Sequence, residues 1–328
     1  MTSAGELFRL ARRTVGAAQV HTEVHKPFRF LLCGDPALVA DFRALLLFQH
    51  GQEIPFDAPS TLETIDPARG ATIVGSDARA VIFLARPGDL AGARLDLLEA
   101  LRLPIFVLTV DPSVPPAYPN NAPAAGAVAE YLIPQIDREA LRVRFFPHLI
   151  ERCKGIEVAV GRRFPPLRET VAAKLTRGAA SSALKVAVAS AIVDHVPVLG
   201  LVLGAVASAG DMVAITGIQI VLMMQIGATY GKDPDMQRIW ELLPVVGGGF
   251  GWRALSRELA GFVPVAGIAI KGAIAYAGTV VVGEGAAFYY EHGRHMTAPQ
   301  AAQLYEEKKR NALLYARDTF DRLKRFGK

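Results

Sequence analysis

The 328 residues are enough for two domains. Hydrophobic residues make up 51% of them and the mean hydropathy is +0.27, high for a wholly soluble chain. Lys and Arg (36) outnumber Asp and Glu (31), leaving +5 at pH 7 and an isoelectric point near 9.2. That balance favours an anionic partner. No RNA-binding signature or basic-aromatic interleaving is present, so anionic membrane lipid is expected and nucleic acid is not. Cys33 and Cys153 lie in no CxxC or Cys/His cluster and are too few for a disulfide framework, which fits a reducing compartment.

Residues 1–27 form a first region, with an amphipathic helix predicted over residues 3–20. Leu7, Leu10, Ala11 and Val15 share one stripe with Arg9, Arg12 and Arg13 beside it, suiting either an anionic lipid surface or docking on the next domain. No continuous apolar run precedes a small-residue cleavage site, so no secretory signal is expected and the bulk of the chain is placed in the cytoplasm. His21 and His25 stand at helical spacing, but with no third ligand nearby and Pro27 following they read as a solvated pair rather than a metal site.

From residue 28 to 150 the pattern is α/β. FRFLLCG ends a strand at Gly34, and Pro36 opens a helix. A phosphate loop belongs at such a junction. It needs GxxxxGK followed by Ser or Thr: glycines let backbone amides cradle the phosphates, lysine neutralises them and the hydroxyl holds magnesium. Counted from Gly34, Val39 stands in place of the second glycine, Ala40 in place of lysine and Asp41 in place of the hydroxyl, while Asp35 and Asp41 repel an anion. Asp66 and Gly70 have the wrong spacing for the DxxG of a GTPase. The strands AVIFLA and PIFVLTV, joined by the helical LAGARLDLLEALR, make a βαβ unit and imply a parallel sheet. The second strand leads to Asp111, but Leu108 and Thr109 occupy the Asn and Lys positions of the guanine-selecting motif. This order of elements resembles an Era-like small GTPase domain, in scaffold only. No nucleotide, magnesium or other cofactor is carried onto any residue. An unrelated doubly wound domain with a different strand order remains the alternative.

Residues 112–127 are a Pro-rich loop, and helical patterns resume at Asp137 and Pro165, the latter within basic linker helices at 151–182. Arg162, Arg163, Arg168, Lys174 and Arg177 form a positive collar before the first apolar run, as Arg253 and Arg257 do before the third; a collar of that sign either marks the cytoplasmic side of a membrane or is a solvated helix face. Residues 183–291 hold three long apolar runs, each with polar residues that a plain lipid-facing span would avoid. Asp194 and His195 lie in the first, Asp211 divides it from the second, Gln219 and Gln225 lie in the second and Lys271 in the third. A charge at mid-bilayer costs about 2.5–3.5 kcal/mol, so these residues should be paired, interfacial or inside a bundle. The runs suit either a membrane-embedded or adsorbed helical module, or a soluble bundle with a Gly-rich core.

Gly200 and Gly204 permit close helix approach, and Trp240 and Trp252 are placed as interfacial anchors. GGGFG at 247–251 follows no strand and reads as a helix junction. Glu291, His292 and His295 read as surface residues. Residues 292–328 end the chain in a charged amphipathic helix.

Pro197, Asp211, GIQIVLMMQIGATYGKD, LLPVVGGGFGWRALSREL, VPVAG and AYAGTVVVGEGAAFYYE, in that order over about a hundred residues, resemble the YcjF-type domain, a bacterial domain of unknown function (number 697) that often follows an Era-like GTPase domain. The resemblance implies a hydrophobic, usually membrane-assigned helical domain with no established reaction. The expected whole is therefore a degenerate GTPase-like α/β domain followed by an all-α hydrophobic domain. It would act as a non-catalytic scaffold for a protein partner at the cytoplasmic side of the inner membrane. No catalytic constellation is visible. Asp194, His195, Asp211 and Lys271 are the candidate polar site of the hydrophobic domain. An atypical active GTPase and a channel or transporter component, the latter with those residues on a water-filled path, are the alternatives.

Overall fold

The computed structural model describes residues 17–48, 54–66, 75–89, 95–115, 128–193, 200–234 and 266–326. The chain divides into two compact units, Thr22–Val171 and a second made of Met1–His21 with Ala172–Lys328.

In the first unit the described strands are β1 (Arg29–Gly34), β2 (Leu62–Thr64), β3 (Ala78–Ala85), β4 (Ile105–Val110) and β5 (Val128–Ile133). They form one all-parallel sheet in the order β2-β1-β3-β4-β5. Strands covered on both faces read as continuous apolar runs, and every residue of β3 except Arg79 is buried. The α/β architecture expected over this half of the chain is present. Its described helices are α1 (Ala17–Val24), which enters the unit from residue 22, α2 (Pro36–Leu47), α3 (Leu95–Glu99), α4 (Arg138–Arg144), α5 (Phe146–Arg152), α6 (Glu157–Arg163) and the first turn of α7 (Arg168–Val193).

One sheet face packs Leu31, Cys33, Val81, Phe83 and Val107 against Leu98 of α3. Burial pushes the Cys33 thiol up to about 12, so it behaves as a small apolar side chain. The other face is aromatic. Phe145, between α4 and α5, lies 5.5 Å from Phe106, 5.4 Å from Tyr131 and 6.1 Å from Phe42, ring centre to ring centre. Phe164, just after α6, packs 6.1 Å from Phe30 and 5.9 Å from Phe28. Residues 157–171 thus complete the core of the sheet unit.

Three arginines tie distant segments together. Arg29 meets Asp77 through both Nε and a terminal nitrogen and donates to Glu63 at 2.7 Å. The buried Arg163 joins Asp57 at 2.6 Å and the Val24 carbonyl at 3.1 Å. Arg144, also buried, donates to the carbonyls of Leu132 at 2.8 Å and Pro115 at 3.3 Å, covering polar backbone beside β5 that would otherwise need water.

The second unit contains most of α7, with α8 (Gly200–Thr229), α9 (Ala266–His292) and α10 (Ala298–Phe326). The contacts set their directions. Thr176 touches Gly283, and Ala183 and Ala187 pack with Ala275, so α7 and α9 are antiparallel. Gln219 donates to Thr279 at 3.2 Å and Tyr230 stacks on Tyr290, so α8 and α9 run parallel. Small residues permit the closeness: a Cβ on Gly283 would lie 2.2 Å from the Thr176 hydroxyl. α10 returns along α9 after a short connection, with Lys308 3.9 Å from Glu284.

α7 is continuous across Ala183, and α8 runs through Asp211 without a break. Asp211 was expected to divide two runs; hydrogen bonding continues because a helix accommodates a single aspartate at small cost. Among the described residues no helix is long and apolar enough to cross a membrane. The predicted helix at 3–20 falls mostly outside the described residues, as do Trp240, Trp252 and the GGGFG segment.

A fragment of residues 22–171 is expected to fold alone, giving a cooperative urea transition by circular dichroism. Ending it at 150 removes Arg163, Phe164 and Leu167 and should abolish or greatly weaken that transition; equal midpoints would contradict the packing. Phe145→Ala should cost the unit about 3–5 kcal/mol, read from the same urea curves.

Candidate functional site

The sheet changes direction of winding beside β1: β2 lies on one side of it and β3 on the other. In open α/β sheets the crevice outside the carboxyl ends of the strands at such a point is where ligands bind. Gly34, Asp35 and Pro36 stand at the end of β1, and Arg86 to Asp89 at the end of β3.

Gly34 has φ of +108°, and a Cβ there would lie 2.0 Å from the Leu84 carbonyl oxygen. No other residue fits this approach. The Asp35 amide then donates to the same carbonyl at 2.8 Å, pinning the junction to β3.

Only Asp35 separates β1 from α2. A phosphate loop needs several non-helical residues to wrap an anion, whereas here positions 37–41 are already helix. The amides of the first turn are all taken. One oxygen of Asp35 accepts from Ala37 N at 2.8 Å and Leu38 N at 3.0 Å, and the Asp35 carbonyl accepts from Val39 N at 2.9 Å. Pro36 has no amide hydrogen to offer. The other carboxylate oxygen of Asp35 accepts from Arg86 Nε at 2.9 Å. The positive end of the helix, the usual seat of a phosphate, therefore carries the chain's own carboxylate with an arginine across it.

The Leu38 amide, followed by the Arg86 guanidinium, holds the Asp35 carboxyl below its usual range. Arg86 is 56% exposed, so solvent weakens that ion pair and the amide bonds matter more. Of the residues counted from Gly34, Val39 is buried in the core, while Ala40 and Asp41 are exposed on α2. Asp35 raises the Arg86 pKa, and Asp89 and Asp41 add to this through space; the Asp89 side chain also accepts from the Arg86 amide at 2.7 Å. At the end of β4, Asp111 spends one oxygen on the amide and hydroxyl of Ser113, at 2.9 and 2.7 Å, which holds its carboxyl below the usual range. The arrangement favours a closed, self-satisfied edge over an anion cradle.

Sequence reasoning missed Arg86 as the partner of Asp35. Asp followed by Pro at a strand-to-helix junction is a readable N-cap signal, but the partner lies 51 residues away.

In the helical unit, Asp194 and His195 fall between α7 and α8, outside the described residues. Asp211 lies within α8, and Lys271 is buried in α9. Gln219 is buried and bonded to Thr279. His292 and His295 stack on Phe288 and Tyr289. Among the described residues no group of three or more His, Cys, Asp or Glu is placed to hold a metal ion. Compared with known proteins, the chain matches no family model, no curated protein and no solved structure.

The Arg29 side chain likewise holds the Asp77 carboxyl low. A carboxylate whose folded pKa is depressed contributes stability that is present above its unfolded value, near about 4, and is lost as pH falls through the folded value. Stability should therefore decline below about pH 4, and Asp35→Asn should flatten part of that decline. Urea midpoints measured at about pH 5 and about pH 2 give the readout; an unchanged slope in the variant would contradict the assignment.

Proposed function

We propose that the protein is a membrane-associated, non-catalytic scaffold. Its α/β unit keeps a GTPase-like frame without nucleotide chemistry, and its helical unit holds it to an anionic lipid surface on the cytoplasmic side of the inner membrane. The single observation that carries the first half is the Asp35 carboxylate seated on the first-turn amides of α2. A nucleotide phosphate would have to displace it, break its contact with Arg86, and do so with no lysine and with Asp41 and Asp89 nearby.

The GTPase-like frame is supported by position. The junction after β1 stands where a phosphate loop would, and Asp111, just after β4, stands where a guanine-selecting aspartate would. The same strand order also occurs in flavodoxin-like sheets, and the reading of an occupied anion seat holds for either frame.

The membrane half is supported by the apolar sequence of α8 and α9 and by amphipathic α10, whose last turns carry Arg322, Lys324 and Arg325. Half-buried Tyr289 and Tyr290 near the end of α9 are of a residue type that favours a lipid-water boundary. Since no described helix is long and apolar enough to cross, the association proposed is one of helices lying on or in the lipid surface.

The purified protein should show no heat of binding with GDP or GTP at millimolar magnesium; stoichiometric guanine nucleotide retained through purification would overturn the first half. In flotation, it should rise with vesicles containing anionic phospholipid and rise less at high salt, where basic groups are screened. Protein left at the bottom with anionic and neutral vesicles alike would overturn the second half.

A further inference from the structure

Residues 291–295, at the turn joining α9 to α10, are all exposed, and His292, Arg294 and His295 are among them. The turn is held from both ends. Gly293, at φ +66°, closes α9 with its amide on the Tyr289 carbonyl at 2.8 Å. Thr297 caps α10, its amide and hydroxyl both donating to the Gln300 side chain, at 3.0 and 2.9 Å. Between these caps each basic side chain lies against a ring at the end of α9. His292 stacks on Phe288 at 4.2 Å, His295 stacks on Tyr289 at 4.7 Å, and the Arg294 guanidinium stands 5.1 Å from the centre of the Phe288 ring. Side chains ordered in this way lose less freedom when a ligand arrives. Among the described residues none of the three is bonded to a carboxylate.

His292 adds a chemical condition. Its Nδ1 lies 3.1 Å from the Phe288 carbonyl oxygen, which can only accept, so Nδ1 carries a hydrogen. In the neutral ring Nε2 is then a bare acceptor, and only the imidazolium has a second N–H to give. An anion meeting this side chain is therefore bound together with a proton.

We propose that the α9–α10 turn seats the phosphate of an anionic phospholipid headgroup, with Arg294 as its permanent cation and His292 and His295 engaged as imidazolium. The assignment rests on the membrane association proposed above and says where the helical unit meets the headgroup. Tyr289 and Tyr290 are half-buried behind the turn, and the stack of Tyr230 on Tyr290 brings the end of α8 level with it, the backing expected at a lipid-water boundary. Single-stranded nucleic acid would need rings free to stack on bases, whereas Phe288 and Tyr289 already carry the chain's own histidines. Arg322, Lys324 and Arg325 stand at the opposite end of the α9–α10 hairpin, so both basic ends reach one surface when the hairpin lies along it. The charged groups around the imidazoles are Glu291 and Arg294 in the turn, Lys232 and Asp233 just past Tyr230 on α8, and Lys174 and Arg177 on α7, whose Thr176 meets Gly283. From Ala298 to Leu304, α10 has no charged side chain.

The test is flotation of the full chain with phosphatidylcholine vesicles, with and without phosphatidylglycerol, at about pH 5.5 and about pH 8, either side of the range in which histidine ordinarily changes charge. Wild type should bind the anionic vesicles at both and more tightly at the lower pH. Arg294→Gln should lower the partition about fivefold at either pH, and Arg294→Lys should keep most of it. His292→Gln with His295→Gln should remove the gain seen at the lower pH and leave the higher-pH value unchanged. All three positions are exposed, so urea midpoints should match wild type. Unchanged partition in the triple glutamine variant would overturn the site while the membrane reading stands. Indifference of wild type to the anionic lipid would overturn both. A pH response that survives in the double histidine variant would overturn the proton-linked role, and tighter binding of single-stranded nucleic acid, lost in the same variants, would overturn lipid as the partner.

Discussion

The contact on which the carboxyl-end edge of the sheet depends is the approach of Gly34 to Leu84. The backbone at residue 34 comes so near β3 that a methyl group would overlap the carbonyl oxygen, and the next amide bonds that same oxygen. With β1 held in this way, α2 starts after a single residue, and that residue must serve as its cap. Asp35 does so with one carboxylate oxygen and leaves the other for Arg86. A longer junction would have left free amides for a ligand. Here the helix dipole and the first-turn donors are neutralised from within the chain. The same economy recurs at β4, where Asp111 closes its own turn.

Burial of charge in the α/β unit follows one rule: each buried arginine has a place among acceptors. Arg163 bridges Asp57 and the Val24 carbonyl, and Arg144 satisfies two carbonyls beside β5. Breaking such a contact leaves its partners desolvated, which costs more than the bond itself contributes. In the helical unit the buried Gln219 amide likewise sits on an acceptor, the Thr279 hydroxyl. Directional polar contacts matter there because the surrounding surfaces are nearly uniform: Ala, Gly, Val and Ile along α7, α8 and α9 allow helices to slide by a turn with little change in apolar contact. The Gln219–Thr279 bond and the seat of Gly283 against Thr176 distinguish one alignment from its neighbours.

These two mechanics suit the proposed division of labour. The α/β unit has an aromatic core on one sheet face, arginine clamps between distant segments and a closed strand edge, all of which favour a rigid surface over a nucleotide-driven switch. In the helical unit, the apolar helices and the basic end of α10 suit a lipid surface.

The sequence by itself determined β1, β3 and β4 and the helices that follow β1 and β3, because apolar runs bounded by Gly34, Pro36, Pro87 and Pro104 leave few alternatives; β5, after the Pro-rich loop, was not legible in it. It also determined that Val39, Ala40 and Asp41 cannot supply phosphate chemistry, since that depends on side-chain type alone. It located the apolar helices but not their limits: Asp211 reads as a divider, yet α8 passes through it, because one polar residue does not outweigh the hydrogen bonds on either side. Only the tertiary structure decided that Arg86 closes on Asp35, that residues 157–171 complete the sheet's core, and that α8 and α9 run parallel in register. Each depends on which distant segments become neighbours. Local periodicity records that a face is buried but not against what, so Phe164 reads as an ordinary helix-associated residue until the fold sets Phe28 and Phe30 beside it.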